Sequence, residues 1–152
     1  YHNLPQADAL AKIADGGRFW HRMGDVGYRD EKGRIWFCGR KAHRVKARGG
    51  DMFTICCEAI FNRHPAVNRS ALVGVAEADG FERPVIMIEL KKSAATLNKE
   101  KLTGELLALA AGEAVSKNIA DIRYVDAFPT DIRHNAKIRR EDLAAEAAKK
   151  PA

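Results

Sequence analysis

The chain has 152 residues, 46% of them hydrophobic and 30% charged, with a formal net charge of +6. That suffices for one ordinary core, or a small domain with an appended arm, and no apolar run approaches the roughly 20 residues needed to span a bilayer. The three cysteines, Cys38, Cys56 and Cys57, are odd in number and form no C-x-x-C pair, which argues against a disulfide framework or a zinc site and for a reduced, cytoplasmic setting.

Tyr1-His2-Asn3-Leu4-Pro5 opens without methionine and without the charged-then-apolar pattern of a signal peptide, so the chain reads as a piece of a longer protein. Pro5 to Ala14 has the composition of a short helix with proline at its start, closed by Asp15-Gly16-Gly17. Val26 to Arg29, the turn Asp30-Glu31-Lys32-Gly33, and Arg34 to Cys38 read as a β-hairpin, and Gly39 is expected to break the second strand. Residues 40–51 are polar and end in Gly49-Gly50-Asp51, which suits a mobile loop. Between Gly39 and Gly50 stand five cations, Arg40, Lys41, Arg44, Lys46 and Arg48, and no acid. That excess favours an anionic partner such as a nucleotide, a nucleic acid or an anionic surface, although a solubilising basic loop fits nearly as well.

Thr54 can cap a helix running to about Arg63, with Ile55, Ala59, Ile60 and Phe61 on its apolar face and Cys56 and Cys57 packing near its start. A strand follows from Ala66-Val67, reading Ser70 to Val75, and a second covers Pro84 to Leu90, joined by the polar turn Ala76 to Arg83. Lys99 to Val115 gives the longest helical pattern, with Leu102, Leu106, Leu107, Leu109 and Ala110 as its apolar face. Ile122 to Val125 is a third strand, and a helix rich in Ala, Glu and Lys runs from about Arg140 to Lys149. Lys137 is expected in a loop just before that helix, with Arg133, Arg139 and Arg140 around it, where it could reach a phosphate or carboxylate as a point charge.

A boundary falls near Gly39-Arg40-Lys41. Residues 1–39 form a helix and hairpin too small to stand alone. Residues 40–150 have the order α-β-β-α-β-α of a small α+β domain, a three-stranded sheet covered by helices.

Taken in order, several segments resemble the C-terminal end of the adenylate-forming enzymes, the superfamily of acyl-CoA synthetases, peptide-synthetase adenylation domains and luciferase. Tyr1 to Ala7 looks like the family's Y-x-N-x-P-E-A, and Trp20-His21-Arg22-Met23-Gly24-Asp25 looks like W-x-R-T-G-D with Met23 in place of threonine. Gly39-Arg40-Lys41 looks like the G-R-K beside the family's hinge, and His64-Pro65-Ala66-Val67 with Val73-Gly74-Val75 looks like H-P-A-V and V-G-V. The resemblance implies that residues 1–39 end a large N-terminal adenylating domain and residues 40–150 are its mobile lid. It implies ATP and Mg2+ as cofactors, held mainly by that large domain, and a carboxylate as substrate. Asp25 would accept the ribose hydroxyls, Arg40 would contact the nucleotide, Lys41 and Ala42 would form the hinge, and Lys137 would be the adenylation lysine. Gly49 and Gly50 would belong to the loop that enters the site for the second half-reaction.

Two departures from the family pattern stand out. Ala42, followed by His43, occupies a hinge position usually held by Asp or Lys, and the lysine loop is two residues longer than P-x-T-x-x-G-K, with Ala136 where glycine is usual. Gly39 to Val45 and Asp131 to Lys137 look closest to the branch that makes β-lactones in bacterial long-chain olefin biosynthesis. That branch implies a β-hydroxy fatty acid activated by ATP and closed on its own hydroxyl, with AMP and pyrophosphate released. A fatty-acid CoA ligase shares every residue named, while a basic nucleic-acid-binding module has the charge but lacks aromatic residues interleaved with it.

Overall fold

The computed structural model describes residues 5–131 and 134–149, excluding the side chains of residues 134–136. The segment Tyr1 to Leu4 of the first motif, and Arg133 beside the lysine, lie outside the described residues.

The molecule is built on an antiparallel pair, β7 (Val67–Ala76) and β8 (Glu82–Leu90), with β9 (Asp121–Val125) added parallel to β8. Alternation along the strands separates two cores. Leu72, Ile86 and Ile88 face α2 (Thr54–Phe61) and α3 (Lys99–Ala111), packing with Cys57, Ile60, Phe61, Leu102 and Leu106. Ala71, Val73, Val85 and Met87 face the other way, onto Phe128 and onto Leu143 and Ala147 of α4 (Arg140–Ala148). The fold is thus α+β, with a small three-stranded sheet covered by helices on both faces. None of the described helices is long and apolar enough to cross a membrane.

Ahead of the sheet stand α1 (Pro5–Ala11) and two hairpins, β1 (Lys12–Asp15) with β2 (Arg18–His21), and β3 (Asp25–Arg29) with β4 (Ile35–Arg40). The first hairpin corrects the expected helix over Pro5 to Ala14. Gly16 and Gly17 both take positive φ and turn the chain sharply enough for Lys12 to pair with His21. In the second hairpin Asp30 organises the turn, its carboxylate accepting from the amides of Lys32 and Arg34 and from the Trp36 indole. The Trp36 bond leads the contacts that hold the Asp30 carboxyl below its usual value, against an opposing desolvation.

Gly39 does not end its strand. Val26 pairs with Gly39 while Gly27 pairs with Phe37, so Cys38 is an extra residue in a bulge and β4 runs on to Arg40. Gly39 has φ 119°, and a Cβ there would lie 2.3 Å from the Thr54 hydroxyl oxygen. Thr54 is accordingly the first residue of α2 rather than its cap; Phe53 holds the cap position with no side-chain bond. The α2 face also differs from expectation, since Thr54, Cys57, Glu58, Ile60 and Phe61 are buried while Ile55 and Ala59 are exposed.

Residues 40–51 are not a loop throughout. After a short 3-10 turn at Lys41–His43, β5 (Val45–Ala47) and β6 (Gly50–Met52) pair through Arg48-Gly49, and Val45, Ala47 and Met52 enter the first core. Arg48 ties the tip of this hairpin to Glu77 at 2.9 Å and Asp79 at 2.6 Å. α3 is capped by Asn98, whose side chain accepts from the Lys101 amide, and stops at Ala111, short of Val115, where Gly112 and Ser116 turn the chain. After β9, two further strands escaped the sequence reading, β10 (Thr130–Asp131) and β11 (His134–Ile138).

A buried ion pair joins the layers. The Arg140 guanidinium donates to both Glu58 carboxylate oxygens, at 2.6 and 3.1 Å, and to the Leu72 carbonyl at 3.1 Å, while the Leu72 amide donates to Glu58 at 2.8 Å. Glu58→Ala would leave Arg140 and the Leu72 amide buried without partners, and is expected to cost about 3–5 kcal/mol in urea unfolding. A loss below about 1 kcal/mol would show that the pair is not a structural requirement.

Candidate functional site

The bulge at Cys38 sets the geometry of the first site residues. By carrying β4 one pair further, it puts Arg40 directly opposite Asp25, with Nε 3.7 Å from Oδ1 and both side chains about half exposed. The Lys41 amide donates to the Gly24 carbonyl at 2.8 Å, closing the end of the hairpin. Arg40, Lys41 and Ala42 then line a groove of ≈ 570 Å³ with Gly24, Arg44, Lys46 and Glu82. Arg40, Arg44 and Arg48 each face a carboxylate, so much of the basic excess in this stretch is neutralised within the chain.

Lys137 is exposed and lies on β11, not in the expected loop. The strand forms because Thr130 pairs with Ile138 and the Arg139 amide donates to the Pro129 carbonyl at 2.9 Å. Among the described residues no carboxylate lies within ion-pair distance of the Lys137 ammonium.

His43 links the two regions. Burial, followed by the positive charge of Arg140, holds its pKa below the usual value; Arg40 and Lys137 add to this while Glu141 opposes it. The imidazole thus feels both Arg40 and Lys137, which the sequence separates by almost a hundred positions. Gly49 and Gly50 lie elsewhere, lining a separate cavity of ≈ 260 Å³ with Met52, Cys56, Val115 and Asn118. Burial pushes the Cys56 thiol up to about 11 and the Cys57 thiol to about 12. Both are therefore protonated near neutral pH and suited to packing rather than nucleophilic work.

Two acidic residues that support this region were not singled out from the sequence. Glu58 pairs with Arg140, three residues after Lys137; burial raises its pKa and the guanidinium works against that rise. Glu89, on β8, accepts from Asn68, from Arg69 at 2.6 Å and from the Phe128 amide at 2.7 Å. The available signal was an acid inside an apolar run, as in Ile55 to Phe61 and Val85 to Leu90, which implies a buried partner.

The hairpins before residue 40 expose an unusual amount of apolar surface: Ile35 is 82% accessible, Trp20 66%, Met23 65%, Phe19 64% and Phe37 53%.

No family model matches the chain. Among solved structures, the ATP-bound RpMatB–BxBclM chimera superposes with a TM-score of 0.80 at 24% identity, over 99% of this chain and 28% of that one. The chain belongs to the adenylate-forming enzymes and corresponds to their C-terminal part. It is similar to the olefin β-lactone synthetase of Xanthomonas campestris pv. campestris, at 46% identity over 153 residues, 97% of this chain and 27% of that protein. The olefin β-lactone synthetase of Stenotrophomonas maltophilia is 47% identical over 149 residues, 95% of this chain and 26% of that protein. The chain spans about a quarter of the length of these curated relatives.

Glu89 also yields a pH dependence. Desolvation raises its carboxyl, but the Arg69 guanidinium, the Phe128 amide and Asn68 outweigh it and hold the folded value below the usual one. As pH falls, the unfolded chain therefore takes up this proton first. The stability contributed by Glu89 is complete above about pH 4.3 and is lost as pH drops through the lower, folded value. Urea midpoints measured from pH 7 to 3 should fall less steeply through that window for Glu89→Gln than for the parent; superimposable profiles would contradict the assignment.

Proposed function

We propose that this chain is the lid, with the adjoining edge of the large domain, of an ATP-dependent ligase that activates a long-chain β-hydroxy fatty acid as its adenylate and closes it to a β-lactone. The observation that carries the reading is the 46% identity to an olefin β-lactone synthetase across nearly the whole chain. In this reading residues 1–39 belong to the large domain and residues 40–150 to the lid, with Lys41 and Ala42 at the hinge. The exposed apolar arm supports a large-domain partner.

The chemistry assigned to each residue follows from its type and place. A carboxylate oxygen of the fatty acid attacks the α-phosphorus of ATP and the bond to pyrophosphate breaks. Asp25 offers two acceptor oxygens to the ribose hydroxyls, and Arg40, opposite it on β4, offers planar donors to the nucleotide. The Lys137 ammonium bridges the acid and the α-phosphate as charge builds there. In the second step the β-hydroxyl oxygen attacks the acyl carbon and gives its proton to water, the bond to the phosphate oxygen breaks, and AMP departs as the four-membered ring closes. Mg2+ would offset phosphate charge in the first step. Among the described residues no group of three or more His, Cys, Asp or Glu could hold a metal, so no step of this chain is assigned to it.

Two outcomes separate the lactone from the CoA product. With ATP and a 3-hydroxy fatty acid, the full-length protein should yield AMP and a β-lactone with no thiol present; formation of acyl-CoA alone, and only when CoA is supplied, would make it a fatty-acid CoA ligase. Binding of RNA or DNA with a steep salt dependence and no adenylation would instead favour the nucleic-acid reading.

Lys137→Ala in the full-length protein should slow ATP–pyrophosphate exchange by on the order of a hundredfold or more, as loss of a preorganised charge does. Arg139→Ala is the control, because Arg139 is exposed and paired with Asp142. Equal impairment of the two variants would remove Lys137 from the reacting centre.

A further inference from the structure

We propose that Glu58 and Glu89 are positioning residues, two carboxylates that each hold one end of the β10–β11 hairpin and together fix where Lys137 stands. The inference rests on the reading of Lys137 as the adenylation lysine.

The hairpin leaves the body of the fold at Phe128 and rejoins it at Arg140. At the first end the Phe128 amide donates to Glu89 at 2.7 Å, the Phe128 ring is buried in the second core, and the Arg69 guanidinium sits 5.2 Å from the ring centre. At the other end Arg140 grips Glu58 with two nitrogens, and the side chains of the pair are 14% and 8% accessible. Between them the hydrogen bond from the Arg139 amide to the Pro129 carbonyl ties the two ends together.

Both carboxylates are themselves fixed. Glu58 accepts from the Leu72 amide, and Glu89 accepts from Asn68 and Arg69 of β7. Neither has freedom to follow a drifting hairpin. Lys137 stands three residues before Arg140, on a strand whose own ladder to β10 is short. The base of the hairpin therefore depends on contacts from the sheet and α2 more than on its own pairing. A displacement of about 1 Å in a reacting group can cost on the order of a hundredfold in rate, so a loosened clamp should appear in the step that uses Lys137.

The test compares Glu58→Gln, Arg140→Lys and Glu89→Gln in the full-length protein, with Leu106→Ala, in the first core on the face of the sheet away from Phe128 and α4, as a destabilised control. Three quantities are read for each: pyrophosphate exchange with a 3-hydroxy fatty acid, product formation from supplied 3-hydroxyacyl-adenylate, and amide hydrogen exchange over residues 130–138. The clamp variants should slow pyrophosphate exchange at least tenfold and speed amide exchange in the hairpin, while changing turnover of the supplied adenylate less than twofold. Leu106→Ala, assayed where it stays folded, should leave both half-reactions within twofold of the parent. The positioning role is overturned if the clamp variants slow both half-reactions equally, if they match Leu106→Ala, or if hairpin amide exchange is unchanged. A parent that carries out no pyrophosphate exchange overturns the adenylation reading and the positioning role with it. A parent that exchanges alongside variants that exchange equally well overturns the positioning role alone.

Discussion

Leu72 lies on β7, the edge strand of the sheet, and its amide and carbonyl are bonded to the two members of an ion pair instead of to another strand. Glu58 approaches from α2 on one face and Arg140 from α4 on the other. The pair closes an edge that would otherwise present unsatisfied backbone groups, and it fixes two helices that share no core with each other. Desolvating two charges is expensive, and here the expense is offset by a bidentate geometry with two further bonds to the backbone. The strand, the helix start and the end of the lysine hairpin are therefore held by one set of contacts.

A second constraint acts where β4 meets α2. Close approach of β4 to α2 leaves no room for a side chain at Gly39, and the bulge beside it extends the strand to the level of Asp25. Carboxylate and guanidinium thus face each other across a hairpin whose outer surface is apolar and exposed. Such a surface suits a hairpin that is one edge of a larger body. His43 is influenced by cations of both regions, Arg40 on this hairpin and Arg140 and Lys137 near the chain's end.

The long strands and helices were legible in the sequence because burial imposes strict patterns on them. Ala71 to Val75 and Pro84 to Ile88 are continuous apolar runs, and Leu102, Leu106 and Ala110 recur at helical spacing. Apart from the pair of β3 and β4, the short hairpins were not legible. Lys12–Asp15, Val45–Ala47 and His134–Ile138 carry polar residues in helix-like or loop-like composition, and their pairing is dictated by Gly16, Gly17 and Gly50 or by tertiary contact. Asp25, Arg40 and Lys137 were singled out through motif order. The partnership of Glu58 with Arg140 spans 82 positions, and no local pattern in either segment names its partner.

The most direct measurement is a crystal structure of the full-length protein with a non-hydrolysable analogue of a 3-hydroxyacyl-adenylate. The expected density places the Asp25 carboxylate on the ribose hydroxyls and the Lys137 ammonium within hydrogen-bond reach of the acyl or α-phosphate oxygens, with the apolar arm buried and the Glu58–Arg140 pair intact. Lys137 pointing into solvent, with the ribose held by other residues and the arm uncovered, would contradict the assignment of this chain as the lid of an adenylating ligase.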